Sequence, residues 1–528
     1  MIQDFSEFND AAAIETDICI IGCGAAGITL AREFIGTRYS VLVLEAGGLE
    51  AEAENQEIYA SEVVGLPHAS IHDGRARQFG GTTTLWGGQA LRFDGFDLEK
   101  RSWVPHSGWP ISLEELDSYY DRAERVLQLG PRVSYPSLCA EFGIAPPDFD
   151  PGRLYVECSR WSSKPNFGKT YRQELKSAPN IRVLLHANVM SIDTNESATS
   201  VEKIEFRTVD GKRGMAKARL YAVCCGGIET ARLLLASDRV EPRGLGNKHD
   251  LVGRFFQEHI HMRLGELRTT QRSRLQNCFE SFYRNRLKYF PVITLSKRAQ
   301  AEKQILSVHG TVMFDDAPDS GIAALKQLFT ILIRRTKPRT GELQRYLRAA
   351  LTSPGDVCRL AYRFFVDRRA GTPRKGPIYI GVQAEHAPNP DSRITLSETR
   401  DRLGMRKAKL DWRVGDLERR TLWEFIRTVA GEFEALRLGS FDLAQVAFLD
   451  DALGWSQAAH DSAHHMGSTR MRESPRLGVV DPNCRVHGVD NLYIGSSSVF
   501  PTGARSNPTL TILALCLRMA DRFKQLLG

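Results

Sequence analysis

No stretch of the 528 residues approaches the roughly 18 consecutive apolar positions that a membrane-spanning helix needs. Cysteine is scarce: the chain has ten, and no two of them form CxxC. The nearest approaches, Cys19 with Cys23 and the adjacent Cys224 and Cys225, lack zinc-ligand spacing. They predict reduced, packed thiols rather than a disulfide framework or a metal centre. A chain this long can bury several cores without such staples. Internal repeats and low-complexity tracts are missing as well. The opening MIQDFSEFNDAAAIETD carries acids and no apolar core, so no secretory signal is expected and a cytoplasmic address is. With 42% apolar, 25% charged and 9% aromatic residues, the composition is that of a globular protein and excludes a mainly disordered, collagen-like or coiled-coil chain.

A strong overall charge is lacking too, since 70 basic residues stand against 63 acidic ones for a net +7. The balance is local. Residues 334–375 hold twelve Lys or Arg against Glu342, Asp356 and Asp367, a net +9, which leaves about −2 for everything else. Leu343, Tyr346, Leu347 and Leu351 recur there at helical spacing, as do Val357, Leu360 and Phe364. Two readings fit: a solvated basic face on a helical insertion of about 320–375, or a docking surface for an anionic partner, substrate or membrane. No aromatic-interleaved basic array accompanies it, so nucleic acid is not expected as a partner.

DICII, residues 17–21, has the apolar continuity of a buried parallel strand. GCGAAG follows at once, with Gly22, Gly24 and Gly27 in GxGxxG register; ITLAREFI then reads as a helix and YSVLVLE as a second strand. Gly22 allows the tight turn, Gly24 lets backbone approach a pyrophosphate, and Gly27 lets the helix sit close on the strand. The helix start offers unpaired N–H groups and a positive dipole end to phosphate. Glu45 closes the unit 23 residues after Gly22, where a carboxylate accepts ribose hydroxyls and repels a 2′-phosphate. The unit predicts dinucleotide binding, without separating FAD from NAD.

Three further segments resemble the glucose–methanol–choline (GMC) flavin oxidoreductases, in particular their sugar-oxidising bacterial and pyranose-oxidase-like branches. FGGTTTLWGGQALRF at 79–93 is similar to the family's flavin loop, and CCGGIETARLLLAS at 224–237 to its second signature. HHMGSTRM at 464–471 and GVVDPNCRVHGVDNLYIGSSSVFPTGARSNPTLTILAL at 478–515 are similar to its catalytic region. The resemblance implies an FAD-dependent enzyme oxidising a CH–OH group of a sugar, glycoside or amino-sugar-like alcohol. It puts the active-site histidine at His464 and the second member of the catalytic pair at Asn507. FAD would lie against Gly22, Gly24, Ala26 and Gly27, with Glu45 and Ala46 at the ribose. Gly81, Thr82, Trp86 and Gly87 would wrap the pyrophosphate and the flavin edge. Val189 would meet the adenine, and Gly226, Ser496, Asn507, Pro508 and Thr509 would complete the binding set. Gln383 and His465 would face the substrate. Members with histidyl-bound flavin carry a histidine just before the loop tryptophan; Leu85 stands there, so non-covalent FAD is expected. Ser496 replaces the acid that many members carry in the xDAS turn. Oxygen, a quinone or a redox protein each suit as electron acceptor. Two alternatives share the pattern: a non-redox lyase on the same flavin fold, and a dehydrogenase docked to a membrane or partner through the basic insertion.

The residue types suit alcohol oxidation. A neutral imidazole can take the hydroxyl proton near pH 7, and a carboxamide can donate to the developing alkoxide without titrating. Asn507 and Pro508 read as N-cap and first residue of a helix to about 525, with Leu510, Leu513, Leu517, Ala520 and Phe523 on one face. His460, His464 and His465 cluster in sequence, but the spacing supplies no third ligand, so no metal is expected. FFQEHIHMRLG resembles a segment near the active-site cavity of GMC relatives, but His259 and His261 read first as satisfied core histidines. The predicted fold is α/β: a discontinuous Rossmann-like FAD domain over 12–95, 165–260 and 455–528, and an α+β substrate domain over 262–454. Residues 96–164 bridge them. Strands are expected at 288–295, 305–314, 377–385, 392–397 and 407–413 in one mostly antiparallel sheet, with the basic helices between the second and third.

Overall fold

The computed structural model describes residues 1–8, 12–316, 321–334, 341–351, 354–452 and 454–528. Part of the basic segment, 335–340 and 352–353, therefore lies outside the described residues. Two large sheets and one small sheet organise the rest.

The first sheet forms where short apolar runs are buried on both faces, as parallel strands require. Ile18, Cys19, Ile20 and Ile21 are all buried, and so is the whole of Val41–Leu44. The order is Ile2–Asp4, Ile181–Leu185, Val41–Leu44, Ala12–Ile21, Arg213–Val223, then Val201–Arg207 and Asn188–Thr194. The first five are parallel neighbours, and Leu492–Ile494 adds in parallel to the C-terminal end of Arg213–Val223. The other end of that long strand carries the antiparallel pair instead. This is a Rossmann-type sheet. Its edge strand Ile2–Asp4 precedes the expected limit at residue 12. It is held by strand pairing and by the terminal ammonium, which donates to the carbonyl of Ile181 at 2.6 Å. No local pattern in three residues could announce it.

The C-terminal helix, Thr509–Leu527, buries its expected stripe and also Thr511, Ala514, Leu515, Cys516 and Met519. It is covered on more than one side because it packs against both Ala25–Arg32 and Leu113–Val126.

The second sheet is antiparallel throughout: Ser440–Phe441, Ile260–Arg268, Ile378–Ala384, Val308–Phe314, Leu287–Leu295, Leu154–Trp161 and Gln89–Ala90. It differs from the expected sheet in several ways, adding Ile260–Arg268 and the short edge strands Ser440–Phe441 and Gln89–Ala90. It recruits Leu154–Trp161 from the segment expected only to bridge. It also excludes Arg393–Arg400 and Arg406–Asp411, which pair with each other and, in parallel, with Glu62–Val63. Glu62 secures that third sheet by accepting from Ser397 Oγ at 2.7 Å and pairing with Lys409 at 2.9 Å.

Helix Asp416–Ala435 covers one face of the second sheet with Leu422, Phe425, Ile426 and Val429. The fit is close: a Cβ at Gly310 would lie 2.6 Å from the Phe425 ring. Strand register places His261, Gln383, His309, Thr294 and Tyr155 side by side in one cross-strand row. Side chains in such a row share a face. That row is the second sheet's contribution to the site.

Candidate active site

The turn after strand Ala12–Ile21 is built by exclusion of side chains. Gly22 has φ +99°, and a Cβ there would meet the Cys224 carbonyl at 2.6 Å. A Cβ at Gly27 would lie 1.9 Å from the Gly22 carbonyl. Gly24 occupies the cap position of helix Ala25–Arg32 with no side chain to bond the first N–H groups, which remain available to an anion. Gly81 then packs backbone against backbone, since its Cβ would come within 2.8 Å of Gly24 Cα. We expect Gly27→Val to purify without visible flavin absorbance, because the helix must retreat from the turn. Retained flavin would show that the close approach is dispensable.

One cavity runs along these elements. Gly22, Gly24, Ala26, Glu45 and Ala46 line it from the first βαβ unit, and Gly81, Thr82 and Trp86 from the loop. Val189 and Gly226 line it further along, with His464, His465, Ser496, Pro508 and Thr509 from the C-terminal region. Glu45 is buried, and its carboxylate accepts the N–H of Cys23 at 2.8 Å and of Gly47 at 2.9 Å. Burial raises its pKa, while those backbone donors and Arg77 oppose the rise. Each oxygen keeps a free lone pair for a sugar hydroxyl. This cradle of bare backbone closed by an oriented carboxylate fits an adenine dinucleotide.

Four expected contacts lie elsewhere. Gly27 sits beneath the turn, and Gly87 packs against the Trp161 ring. Gln383 donates through Nε2 to the Arg505 carbonyl at 2.8 Å, which leaves its amide oxygen uncommitted. Asn507 faces His464. The cavity also has a charged wall: Glu229, inside the 224–237 signature, pairs with Arg75 at 2.7 Å and Arg232 at 3.1 Å, and the arginines hold its carboxyl down at about 2 despite burial.

The two members of the expected catalytic pair meet, with Asn507 Nδ2 3.5 Å from His464 Nε2. Behind them stands His259, whose Nδ1 is 2.8 Å from His464 Nδ1. Its Nε2 contacts the carbonyls of Gly503 at 3.1 Å and Ala504 at 2.8 Å. Those contacts fix every proton. Carbonyl oxygens only accept, so His259 Nε2 carries the hydrogen, and burial holds its pKa below the usual value, leaving Nδ1 bare. His464 Nδ1 must then donate to it, and His464 Nε2 is left as a lone pair toward Asn507. Burial, aided by His259, His309 and His261, keeps His464 well below its ordinary pKa and therefore neutral.

Backbone geometry points the ring. Ala463 has φ +59°, a left-handed conformation costly for a residue with a Cβ. Glu258 offsets that strain. Its carboxylate accepts the His464 N–H at 2.8 and 3.0 Å, the Ser462 N–H at 3.3 Å and the His259 N–H at 2.9 Å.

One expectation needs correction here. Asn507 is not the helix cap: Pro508 holds that position, and the helix begins at Thr509. The proline ring fixes the turn, which frees the carboxamide to face His464. His465, expected to contact substrate, lines the cavity, and its Nε2 lies 3.4 Å from Ser70 Oγ and 3.7 Å from Glu258 Oε2. His68 approaches the same carboxylate oxygen at 3.3 Å. His68, Glu258 and His465 are the only group among the described residues with metal-ligand proximity.

Residues 17–286 match the family model described as FAD dependent oxidoreductase, and residues 388–516 match that of GMC oxidoreductase. The chain belongs to the GMC branch of the FAD-dependent oxidoreductases. This GMC oxidoreductase is 25% identical to 2-methyl-1,2-propanediol dehydrogenase of Mycolicibacterium austroafricanum over 97% of this chain and 95% of that protein. It is 26% identical to 6'''-hydroxyparomomycin C oxidase of Streptomyces lividus, over 95% and 90% respectively. Among solved structures, pyridoxine 4-oxidase from Mesorbium loti superposes with a TM-score of 0.53 at 17% identity, covering 97% of this chain and 99% of that one. The last likeness establishes the shared fold.

Proposed function

We propose that this GMC oxidoreductase oxidises a secondary or primary CH–OH group of a sugar, glycoside or amino-sugar-like alcohol to the carbonyl. Relatives named for a diol and for an aminoglycoside support that substrate class. FAD, when bound, supplies the acceptor for the hydride on the substrate carbon. The chain's own residues manage the proton and the charge. A substrate hydroxyl seated between His464 and Asn507 gives its proton to the bare Nε2, and the amide N–H of Asn507 stabilises the alkoxide that forms. The Nδ1–H···Nδ1 contact with His259 holds that tautomer through the step. The unpaired N–H groups at the start of helix Thr509–Leu527 line the same cavity, where they favour negative charge.

Gln383 and the row that includes His261 and His309 supply hydrogen-bonding groups suited to a hydroxylated ring. Thr311 extends the face beside Gly381. Oxygen, a quinone or a redox protein would reoxidise the cofactor.

The observation that carries the reading is the meeting of an acceptor nitrogen and a carboxamide donor 3.5 Å apart beside the dinucleotide cradle. Anaerobic mixing with a panel of sugars, glycosides, amino sugars and simple alcohols tests it. Flavin bleaching by polyhydroxylated compounds is expected; turnover with the flavin permanently oxidised would instead mean lyase chemistry. FAD is held without a covalent bond in this reading, since Leu85 occupies the attachment position and stands 55% exposed. Acid precipitation should therefore release the yellow chromophore, and a coloured pellet would refute non-covalent binding.

A further inference from the structure

The exposed apolar side chains are unevenly spread. Thirteen large hydrophobic residues are exposed among the described ones, and six fall within 343–366: Leu343, Leu347, Tyr362, Phe364, Phe365 and Val366. The last four cluster at the end of helix Pro354–Phe365 with exposures of 57, 46, 78 and 58%. Isolated surface leucines are ordinary, whereas a contiguous aromatic patch marks an interaction surface. Phe364 sets its ring edge-to-face on Tyr283 at 5.1 Å between centroids, and Phe365, 78% exposed, stands outward beside it.

The arginines of this region divide into two sets. Arg359, Arg363 and Arg369 point inward and fasten the insertion to the body. Arg359 reaches Gln276 Oε1 at 3.2 Å, Arg363 pairs with Glu280, and Arg369 donates to the carbonyls of Asn277 and Glu280. Arg368, two residues beyond Val366, is exposed, and so are Arg345, Arg374 and Lys375 elsewhere on the insertion. Asp367, the acid nearest the tip, is paired with Arg363 at 3.0 Å. The exposed part of the insertion is thus both cationic and aromatic, and the inner arginines hold the insertion in place.

We propose that this face docks the protein on the surface of an anionic lipid bilayer, with Tyr362, Phe364, Phe365 and Val366 entering the headgroup layer. The chemistry favours this occupant. Aromatic and aliphatic groups rimmed by Lys and Arg suit the interface between headgroups and acyl chains. Each cation near such a surface contributes about 1 kcal/mol. A second copy of the chain would bring the same positive rim against itself, which repels. No described helix is long and apolar enough to cross a membrane, so contact is with one leaflet. The inference goes beyond the catalytic proposal and does not rest on it.

Flotation of the flavin-loaded full-length protein with phosphatidylcholine vesicles, alone or mixed with phosphatidylglycerol, tests it. The protein should float with the mixed vesicles only, and should detach at about 1 M salt, where the screening length falls to about 3 Å. Phe365→Ser with Val366→Ser should cut the bound fraction at least about tenfold, the loss expected for two apolar groups that no longer leave water. Arg374→Glu with Lys375→Glu should do the same. Both variants alter exposed side chains, so flavin content and turnover in solution should stay as in the parent. Equal flotation with both vesicle types, or none, overturns the proposal. So does flotation unchanged in both variants. Self-association abolished by the serine pair, or binding to polyglutamate but not to vesicles, would assign the face to a protein partner and equally overturn it.

Discussion

Replacing His464 with alanine should lower kcat by about 10²–10⁴-fold, the usual contribution of a positioned general base, with flavin content unchanged. The size of the effect follows from the proton inventory. Two peptide carbonyls oblige His259 to carry its hydrogen on Nε2, so His464 must carry its own on Nδ1, and Nε2 is the one basic atom facing Asn507. Alanine removes that atom. Removing His259 instead leaves the base present but free to adopt the wrong tautomer. His259→Ala should therefore lower kcat with little change in KM, and His259→Gln, whose amide oxygen can accept the Nδ1–H, should recover part of the loss. A merely structural His259 would reduce stability and flavin content in both variants without that split. The pH profile supplies a second check. Burial lowers the His464 pKa well below 6.5, so the neutral, active form persists as pH falls through 6.5 and is lost only at the lowered value. The acid limb of kcat/KM should lie below pH 6.5 accordingly. Stability runs with the same sign: the unfolded chain binds the proton first, so acidification below 6.5 weakens the fold before His464 protonates in place. An acid limb at or above 6.5 would contradict the buried, neutral base.

The parts of the molecule legible in the sequence are those whose chemistry is local. Gly22, Gly24 and Gly27 answer to a turn six residues long, and Glu45 to the length of one βαβ unit, so spacing alone pointed to the cradle. His464 and Asn507 were found through motif likeness, each beside a short signature. Motif likeness reached the segment that holds Glu258 and His259, but not their role behind His464. They contact His464 across more than 200 residues, and their order in FFQEHIHM carries no periodicity that distinguishes a support from a satisfied core pair. The bridge over 96–164 was misread for a related cause. Leu154–Trp161 buries Leu154, Ser159 and Arg160 and leaves the rest half-buried rather than alternating cleanly, because its strand lies between two antiparallel partners near the edge of a sheet filled from distant segments. The cap at 507 failed on a single residue: Asn–Pro is a common helix start, but the helix begins at Thr509 with Pro508 at the cap, and the Asn507 amide lies against His464 instead.

Asn507→Asp discriminates between the two meanings of that residue. A carboxylate there sits about where the amide stands, 3.5 Å from His464 Nε2, and can only accept. It removes the donor that stabilises the alkoxide and sets a like charge against it, so kcat should fall by about 10²–10³-fold. It also attracts a proton onto His464, because an opposite charge nearby favours the imidazolium. The acid limb of kcat/KM should consequently move upward, toward or past 6.5, and the sign is opposite to that produced by burial in the parent. Thermal stability should change little, since Pro508 and not Asn507 holds the cap position and aspartate would in any case suit a helix start. If the variant keeps its turnover and its pH profile, the carboxamide has no part in the chemistry. A fall in melting temperature at full activity would restore the capping role. Asn507→Ala completes the set: it deletes the donor without adding charge, so it should lower kcat while leaving the acid limb where the parent has it.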